Sequence, residues 1–162
     1  MPLVFMLLDK RQHDREAFTC GDESLDNYLR RSASRHMRDG IATTHVLIAD
    51  AAPATILGYC SLAAAGMQLH EMHEEDRKRM PLYPVPAIRV GRLAVAKTER
   101  GKKHGKRLLG HALRLAQTLR QSIGVRVLVV DAKDEAAARF YEKFGFRRTQ
   151  SAALTLYLPF VK

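Results

Sequence analysis

Six stretches of the chain either alternate apolar with polar residues or run apolar for a short distance: Leu3 to Leu8, His45 to Ala49, Thr55 to Ala65, Ala87 to Val95, Val125 to Asp131 and Ala153 to Phe160. Period-two spacing and short apolar runs of this kind predict strands. Between them the apolar spacing changes to that of helices. Leu25, Tyr28, Leu29 and Ala33 mark a first helix, and Leu108, Leu109, Ala112, Leu115, Ala116 and Leu119 mark the longest, a clear amphipathic stripe. A short third helix from Asp134 to Phe144 stops at Gly145, a common helix terminator, before Phe146 re-enters the sheet. Ala51-Ala52-Pro53-Ala54 reads as a turn. The resulting order is strand, helix, strands, helix, strand, helix, strand. This predicts an α/β (α+β) fold of about six strands with helices between them. Met67 to Pro86, with three prolines and many charges, is expected to be an irregular region that covers or borders a site. With no repeat, low-complexity tract or linker, residues 1–162 are expected to form a single domain.

Composition narrows the class. Apolar residues make up 46% of the chain but never run for 18 positions, which fits a soluble globular protein rather than a membrane-spanning or disordered one. The apolar opening lacks a basic leader and a small-residue cleavage site, and Asp9-Lys10-Arg11 ends it, so a strand is expected there rather than an export signal. Cys20 and Cys60 match neither a metal knuckle nor a disulfide framework and suit a reducing cytoplasm. Charge adds more: 27 Lys plus Arg against 17 Asp plus Glu leave a net +10. An excess of that size favours a polyanionic partner through counterion release, with solubility or an acidic protein partner as the alternatives.

The segment richest in chemistry runs from Val90 to Leu109, where a strand passes through a Gly- and Lys-rich turn into a helix. Successive backbone N–H groups at such a turn point outward together, and the helix N-terminus adds partial positive charge, so a pyrophosphate can be held there. Gly101 and Gly105 permit close approach to the backbone. The turn is neither a Walker loop nor a dinucleotide G-x-G-x-x-G loop. On spacing alone, a basic loop capping a helix remains open as an alternative.

Arg100-Gly101-Lys102-Lys103-His104-Gly105 resembles the cofactor loop of the GNAT superfamily of N-acetyltransferases, which reads Gln or Arg, x, x, Gly, x, Gly or Ala. It departs from that pattern at Lys103, where the family has glycine. Phe140-Tyr141-Glu142-Lys143-Phe144-Gly145-Phe146 resembles the family's F-Y-x-x-x-G-F ending. Nearly the whole chain is similar to the toxin branch encoded in bacterial toxin–antitoxin modules. The segments that carry this likeness are Phe18-Thr19-Cys20-Gly21 with Leu25-Asp26-Asn27-Tyr28-Leu29, Tyr83-Pro84-Val85-Pro86 running into Gly91-Arg92-Leu93-Ala94-Val95, Val130 to Glu135, and Leu156-Tyr157-Leu158-Pro159. The resemblance implies the GNAT fold, a mixed central sheet of about six or seven strands flanked by helices, with the fourth strand splayed from the fifth around acetyl-CoA. It also implies acetylation of the α-amino group of an aminoacyl-tRNA, a homodimer, and an antitoxin of the ribbon-helix-helix type whose tail covers the basic face.

Residue by residue, the resemblance implies cofactor contacts from Leu93, Ala94, Val95, Arg100, Gly101, Lys102, Lys103, His104, Gly105, Lys106 and Asp134. The Val95 N–H is the expected oxyanion donor, and Leu93 and Val95 the strand-like partners of the pantetheine arm. Tyr141 is the candidate general acid, since a phenol of pKa about 10 can protonate a departing thiolate of pKa about 8.5 to 9. The other reading of Tyr141 is a packed core aromatic. An aminoacyl ester's α-amino group has a pKa below about 8, which lowers the need for a strong base. Arg30, Arg31, Arg35 and Arg38, with Lys97, Lys102 and Lys103, are the candidate contacts for tRNA phosphates; singly, each also fits a solvated face. His70-Glu71-Met72-His73 lacks the His-Glu-x-x-His pattern and a third ligand, so no metal is expected. Cys20 has no evident activating partner and is expected to pack. Two rivals stay open: an acetyltransferase for protein N-termini or small amines, and a basic nucleic-acid-binding module without turnover.

Overall fold

The computed structural model describes residues 2–160. Its strands, β1 (Leu3–Leu7), β2 (Thr43–Ala49), β3 (Gly58–Met67), β4 (Val85–Val95), β5 (Val127–Asp131), β6 (Arg147–Arg148) and β7 (Thr155–Pro159), form one mixed seven-stranded sheet in the order β1-β2-β3-β4-β5-β7-β6. By backbone proximity the chain divides into two compact units, the first of residues up to Ala63 with Arg92–Ala112, the second of Ala64–Gly91 with residues from Leu113 onward. Strands β3 (Gly58–Met67) and β4 (Val85–Val95) and helix α4 (His104–Leu119) each contribute to both.

In the first unit, β1 (Leu3–Leu7) and β2 (Thr43–Ala49) pair antiparallel with Phe5 opposite Leu47, and β2 pairs antiparallel with β3 with Val46 opposite Tyr59. The helical segment between β1 and β2 has three parts: α1 (Glu23–Asn27), a π-helical turn (Tyr28–Ser32) and α2 (Ala33–Arg38). Asp22 starts it by accepting the Leu25 N–H at 3.2 Å, an N-cap. Its apolar stripe of Leu25, Tyr28, Leu29 and Ala33 is buried with Val46, Ile48, Ile56, Tyr59 and Ala94. Each large side chain so removed from water contributes ~1.5 to 3 kcal/mol. Tyr59, fully buried, keeps its hydroxyl satisfied by donating to the Leu25 carbonyl at 2.6 Å.

In the second unit, β4 pairs in parallel with β5 (Val127–Asp131) from Ala87 opposite Val127 to Val90 opposite Val130. The run Val-Leu-Val-Val in β5 is the unbroken apolar pattern of a strand buried on both faces. β5 pairs antiparallel with β7 (Thr155–Pro159), which in turn holds the two-residue β6 (Arg147–Arg148). Asp134 caps α5 (Glu135–Glu142) through the Ala137 N–H at 2.9 Å, and Gly145, at φ +94°, ends the turn that follows.

The segment from Met67 to Pro86 is more ordered than its composition suggests. It forms a 3-10 turn at Leu69–Glu71 and a short helix α3 (Glu74–Arg77). The reason is a long-range anchor: the Tyr157 hydroxyl donates to Asp76 at 2.6 Å and accepts the His73 N–H at 2.8 Å. Arg147 adds ion pairs to Glu75 and Asp76, while Met72 and Met67 are buried with Val85, Val127, Val129 and Tyr157. Leu82 and Tyr83 remain exposed.

Candidate active site

The loop between β4 and α4 is built from backbone geometry first. Gly101 sits at φ +83° and Lys103 at φ +67°, two left-handed residues flanking Lys102. Lys103 is the one described non-glycine residue with positive φ, and it occupies the position at which the sequence pattern calls for glycine. Left-handed backbone costs an L-residue ~1 to 2 kcal/mol, so this conformation is enforced by its surroundings.

Those surroundings are specific. Glu99 accepts His104 Nε2 at 2.9 Å on one oxygen and Lys102 Nζ at 3.1 Å on the other. Arg107 Nη1 lies 3.1 Å from His104 Nδ1. A guanidinium only donates, so Nδ1 accepts and Nε2 carries the proton given to Glu99. The His104 hydrogen bond, joined by that from Lys102, holds the Glu99 carboxyl below its ordinary range against a smaller opposing effect of burial. Arg107 also donates to the Lys102 carbonyl, and its N–H is the first of α4 to bond back, to Lys103 at 3.2 Å. The preceding amides, those of His104, Gly105 and Lys106, belong to the turn that a helix leaves without internal partners. Lys102, Lys103 and Lys106 are exposed around them. This cradle of amides and cations fits a pyrophosphate, and so fits acetyl-CoA.

The opposite side of the loop rests on the N-terminal signature. Arg100 Nη2 donates to the Cys20 carbonyl at 2.8 Å, and the Lys97 N–H donates to the Thr19 carbonyl at 2.9 Å. Thr19 and Cys20 are in turn fixed by buried Asp26, which accepts the Cys20 N–H at 2.9 Å and the Thr19 hydroxyl at 3.0 Å. Burial pushes the Asp26 pKa up, but these hydrogen bonds and Arg30 outweigh it and leave the carboxyl below its usual range. Gly21 lies at φ +92°, and a β-carbon there would stand 2.8 Å from Arg100 Nη2. Arg100 therefore works as a clamp on its own chain. Above it in β4, Arg92 stacks on Tyr28 with its guanidinium carbon 3.6 Å from the ring centre, a cation–π contact. Gly58 lets β4 come close: a β-carbon there would meet Leu108 at 2.9 Å and the Ala94 carbonyl at 3.0 Å. Leu93 and Val95 are half-buried and Ala94 is buried.

The cationic helix residues fall into two classes. Arg31, Arg35 and Arg38 line an open groove of about 940 Å³ together with Lys10, Arg15, Met6, Leu8 and Met37. Arg31 and Arg35 are exposed there, and Arg38 pairs with Asp39 at 3.2 Å. Arg30 instead turns inward and donates to the Phe18 carbonyl at 2.6 Å. Lys10 and Arg15 carry no signal in the sequence because they precede the helical pattern and reach the groove only through the fold.

In the second unit, Tyr141 is 3% exposed and lies among aromatics, with Phe140 and Phe146 ring centres 5.3 and 5.8 Å away. The fold positions it by capping α5 at both ends and by Arg148, which grips Glu135 at 2.6 Å and Glu142 at 3.0 Å. Asp134, assigned above to the cofactor, has its side chain occupied in the N-cap. His73 is likewise occupied, with Nε2 3.0 Å from the Arg148 carbonyl, and among the described residues no three His, Cys, Asp or Glu side chains gather as a metal site. No described helix is long and apolar enough to cross a membrane. Cys20 and Cys60 are both buried and unpaired with each other, and burial pushes the Cys60 thiol up to about 12.

Comparison with known proteins gives this geometry a family. The model of the acetyltransferase (GNAT) domain matches residues 42–148. A tRNA-acetylating toxin of Mycobacterium tuberculosis is 32% identical over 145 residues, covering 90% of this chain and 85% of that protein. A probable toxin TacT of Sinorhizobium fredii is 24% identical, covering 94% and 88%. Among solved structures, AtaT complexed with acetyl-methionyl-tRNAfMet superposes with a TM-score of 0.89 at 25% identity, covering 98% of this chain and 95% of that one. AtaTR bound with acetyl-CoA superposes at 0.84 with 26% identity, covering 97% and 93%. The fold, the amide cradle at the start of α4 and these relatives agree: the chain belongs to the GNAT superfamily of acetyl-CoA-dependent N-acetyltransferases, on the branch of its tRNA-acetylating toxins.

Proposed function

We propose that this protein is the toxin of a toxin–antitoxin module, transferring acetyl from acetyl-CoA to the α-amino group of an aminoacyl-tRNA and so blocking translation. The observation that carries this reading is the left-handed loop at Gly101 and Lys103, which turns the first amides of α4 and three lysines into a pyrophosphate cradle. The groove lined by Arg31, Arg35 and Arg38 supports the polyanionic substrate, as does the net charge of +10. A relative named for tRNA acetylation supports it further.

In the proposed reaction the neutral amine attacks the thioester carbon, the carbon–sulfur bond breaks, and Tyr141 gives its phenolic proton to the departing thiolate. The proton lost by the amine passes to solvent, which returns one to the Tyr141 phenolate. The Val95 N–H stabilises the oxyanion, while Leu93, Ala94 and Val95 align the pantetheine arm. Arg100 contributes through its clamp on Cys20, and Gly101, Lys102, Lys103, His104, Gly105 and Lys106 through the loop. Lys97, Arg31, Arg35 and Arg38 carry tRNA phosphates. We assign residues 1–162 to one catalytic domain, acting in the cytoplasm as a homodimer and held inactive by an antitoxin of the ribbon-helix-helix type.

The test is incubation with labelled acetyl-CoA and a total pool of charged tRNA, against uncharged tRNA. Label on the amino acid of charged tRNA alone supports the reading and names the isoacceptor. Acetyl-CoA binding without label on tRNA moves the substrate to a protein N-terminus or a small amine, and RNA binding without acetyl-CoA binding points to a module without turnover.

A further inference from the structure

A loop that receives a pyrophosphate gains from every cation and loses from every anion, yet the segment from Arg92 to Arg107 carries one acid, Glu99. Simple electrostatics makes that carboxylate a defect. Its position says otherwise. Glu99 is half-buried, accepts from both His104 and Lys102, and closes the turn that holds Gly101 and Lys103 in left-handed backbone. Glycine would adopt the Lys103 conformation at no steric cost, whereas lysine must be held in it. His104 is buried, and its two ring nitrogens are spent on Glu99 and Arg107, which in turn takes the Lys102 carbonyl. Every side chain in the set bonds across residue 103.

We propose that Glu99, His104 and Arg107 are positioning residues that hold Lys103 in its left-handed conformation and thereby preorganise the cofactor loop, taking over the role that glycine's freedom has in the family's loop pattern. The inference rests on the reading that this loop binds the pyrophosphate of acetyl-CoA. Removing the clamp loosens the loop in the free protein, so binding bears the cost of ordering it. The effect falls on acetyl-CoA affinity, with the chemical step on bound acetyl-CoA little changed.

The two accounts of Glu99 predict opposite signs. A mere charge near phosphate would weaken binding, and Glu99→Ala would then tighten it; a clamp makes Glu99→Ala loosen it. We expect Glu99→Ala to raise the Kd for acetyl-CoA about tenfold by calorimetry, with kcat within about twofold of wild type. His104→Leu should act alike, and His104→Gln, which keeps a donor toward Glu99, should recover most of the loss. The decisive arm is the double-mutant cycle: combined with Lys103→Gly, the effect of Glu99→Ala should shrink to about twofold or less, because the loop no longer needs holding. Unchanged or tighter binding by Glu99→Ala overturns the proposal, as does an effect of equal size with and without Lys103→Gly. Circular dichroism and melting of each variant separate loss of the loop from loss of the fold. Failure of the wild-type protein to bind acetyl-CoA would overturn the cofactor reading itself, a distinct result.

Discussion

Arg89 and Asp131 meet through two parallel hydrogen bonds, Nε to Oδ2 at 2.6 Å and Nη2 to Oδ1 at 2.7 Å. Arg89 stands opposite Val129 in the β4–β5 register, and Asp131 lies two residues further on, just past the registered pair of Val90 and Val130. Thr155 adds a weaker donor to the same carboxylate. The pair thus ties β4, β5 and β7 together where the parallel register closes. Bidentate geometry strengthens it, while side-chain exposures of 40% and 33% screen it, so its net value is about 1 kcal/mol. Arg89→Met should lower unfolding free energy by about that much in urea, and combination with Asp131→Asn should cost less than the two singles together. Strict additivity would show that the pair is not coupled.

Tyr141→Phe removes one oxygen from a side chain that is 3% exposed and otherwise keeps its aromatic packing. For a general acid, kcat should fall by ~100-fold or more while the Kd for acetyl-CoA stays within about twofold. A wild-type kcat would leave Tyr141 as a packing residue.

Charge reversal should separate groove from scaffold. Arg31→Glu with Arg35→Glu should weaken tRNA use and reduce the magnitude of the slope of log K against log salt by about two, one for each phosphate no longer neutralised. Arg30→Glu should instead lower the melting temperature, since its guanidinium serves the Phe18 carbonyl. Equal salt slopes for wild type and the double reversal would place the RNA elsewhere.

Stability should fall in mild acid. Burial holds both His13 and His45 below the ordinary imidazole value of 6.5, with Asp9 opposing it in part at His13. The unfolded chain therefore takes up these protons first. The histidine contribution is complete above about pH 6.5 and is lost as pH drops through the depressed values. His45 Nδ1 lies 3.0 Å from His111 Nε2, so a proton gained there meets a second imidazole stacked on Phe5. Melting temperature measured from pH 7.5 to 5 should decline, and His45→Gln should flatten the decline. A flat wild-type profile would remove the histidines from the balance.

The strands were legible because their apolar patterns are local. All six expected stretches contain an observed strand, with ends displaced by a few residues where β3 begins at Gly58 rather than Thr55. The glycine- and lysine-rich turn was legible for the same reason, since Gly101, Gly105 and the lysines lie close together in sequence. Order in the Met67–Pro86 segment was not legible, because it depends on Tyr157, 81 residues from Asp76. The inward turn of Arg30 was hidden too: residues at helical spacing look alike until the fold shows which of them faces Phe18. Neither could the spacing reveal that Phe18 to Gly21 is the floor on which Arg100 and Lys97 rest, an interaction spanning some 80 residues.

The π turn at Tyr28–Ser32, closed by the Ala33 N–H on the Tyr28 carbonyl, holds one residue more than an α-helical turn. Each helical residue advances the phase by ~100°. Winding the same residues as a regular α-helix would therefore carry everything beyond them about one step further and swing Arg35, Met37 and Arg38 away from the groove they now line, whereas deleting one residue within 28–32 would restore regular winding and leave them facing it. The direction in which this basic face looks is thus encoded by the width of one turn, independently of which side chains it carries.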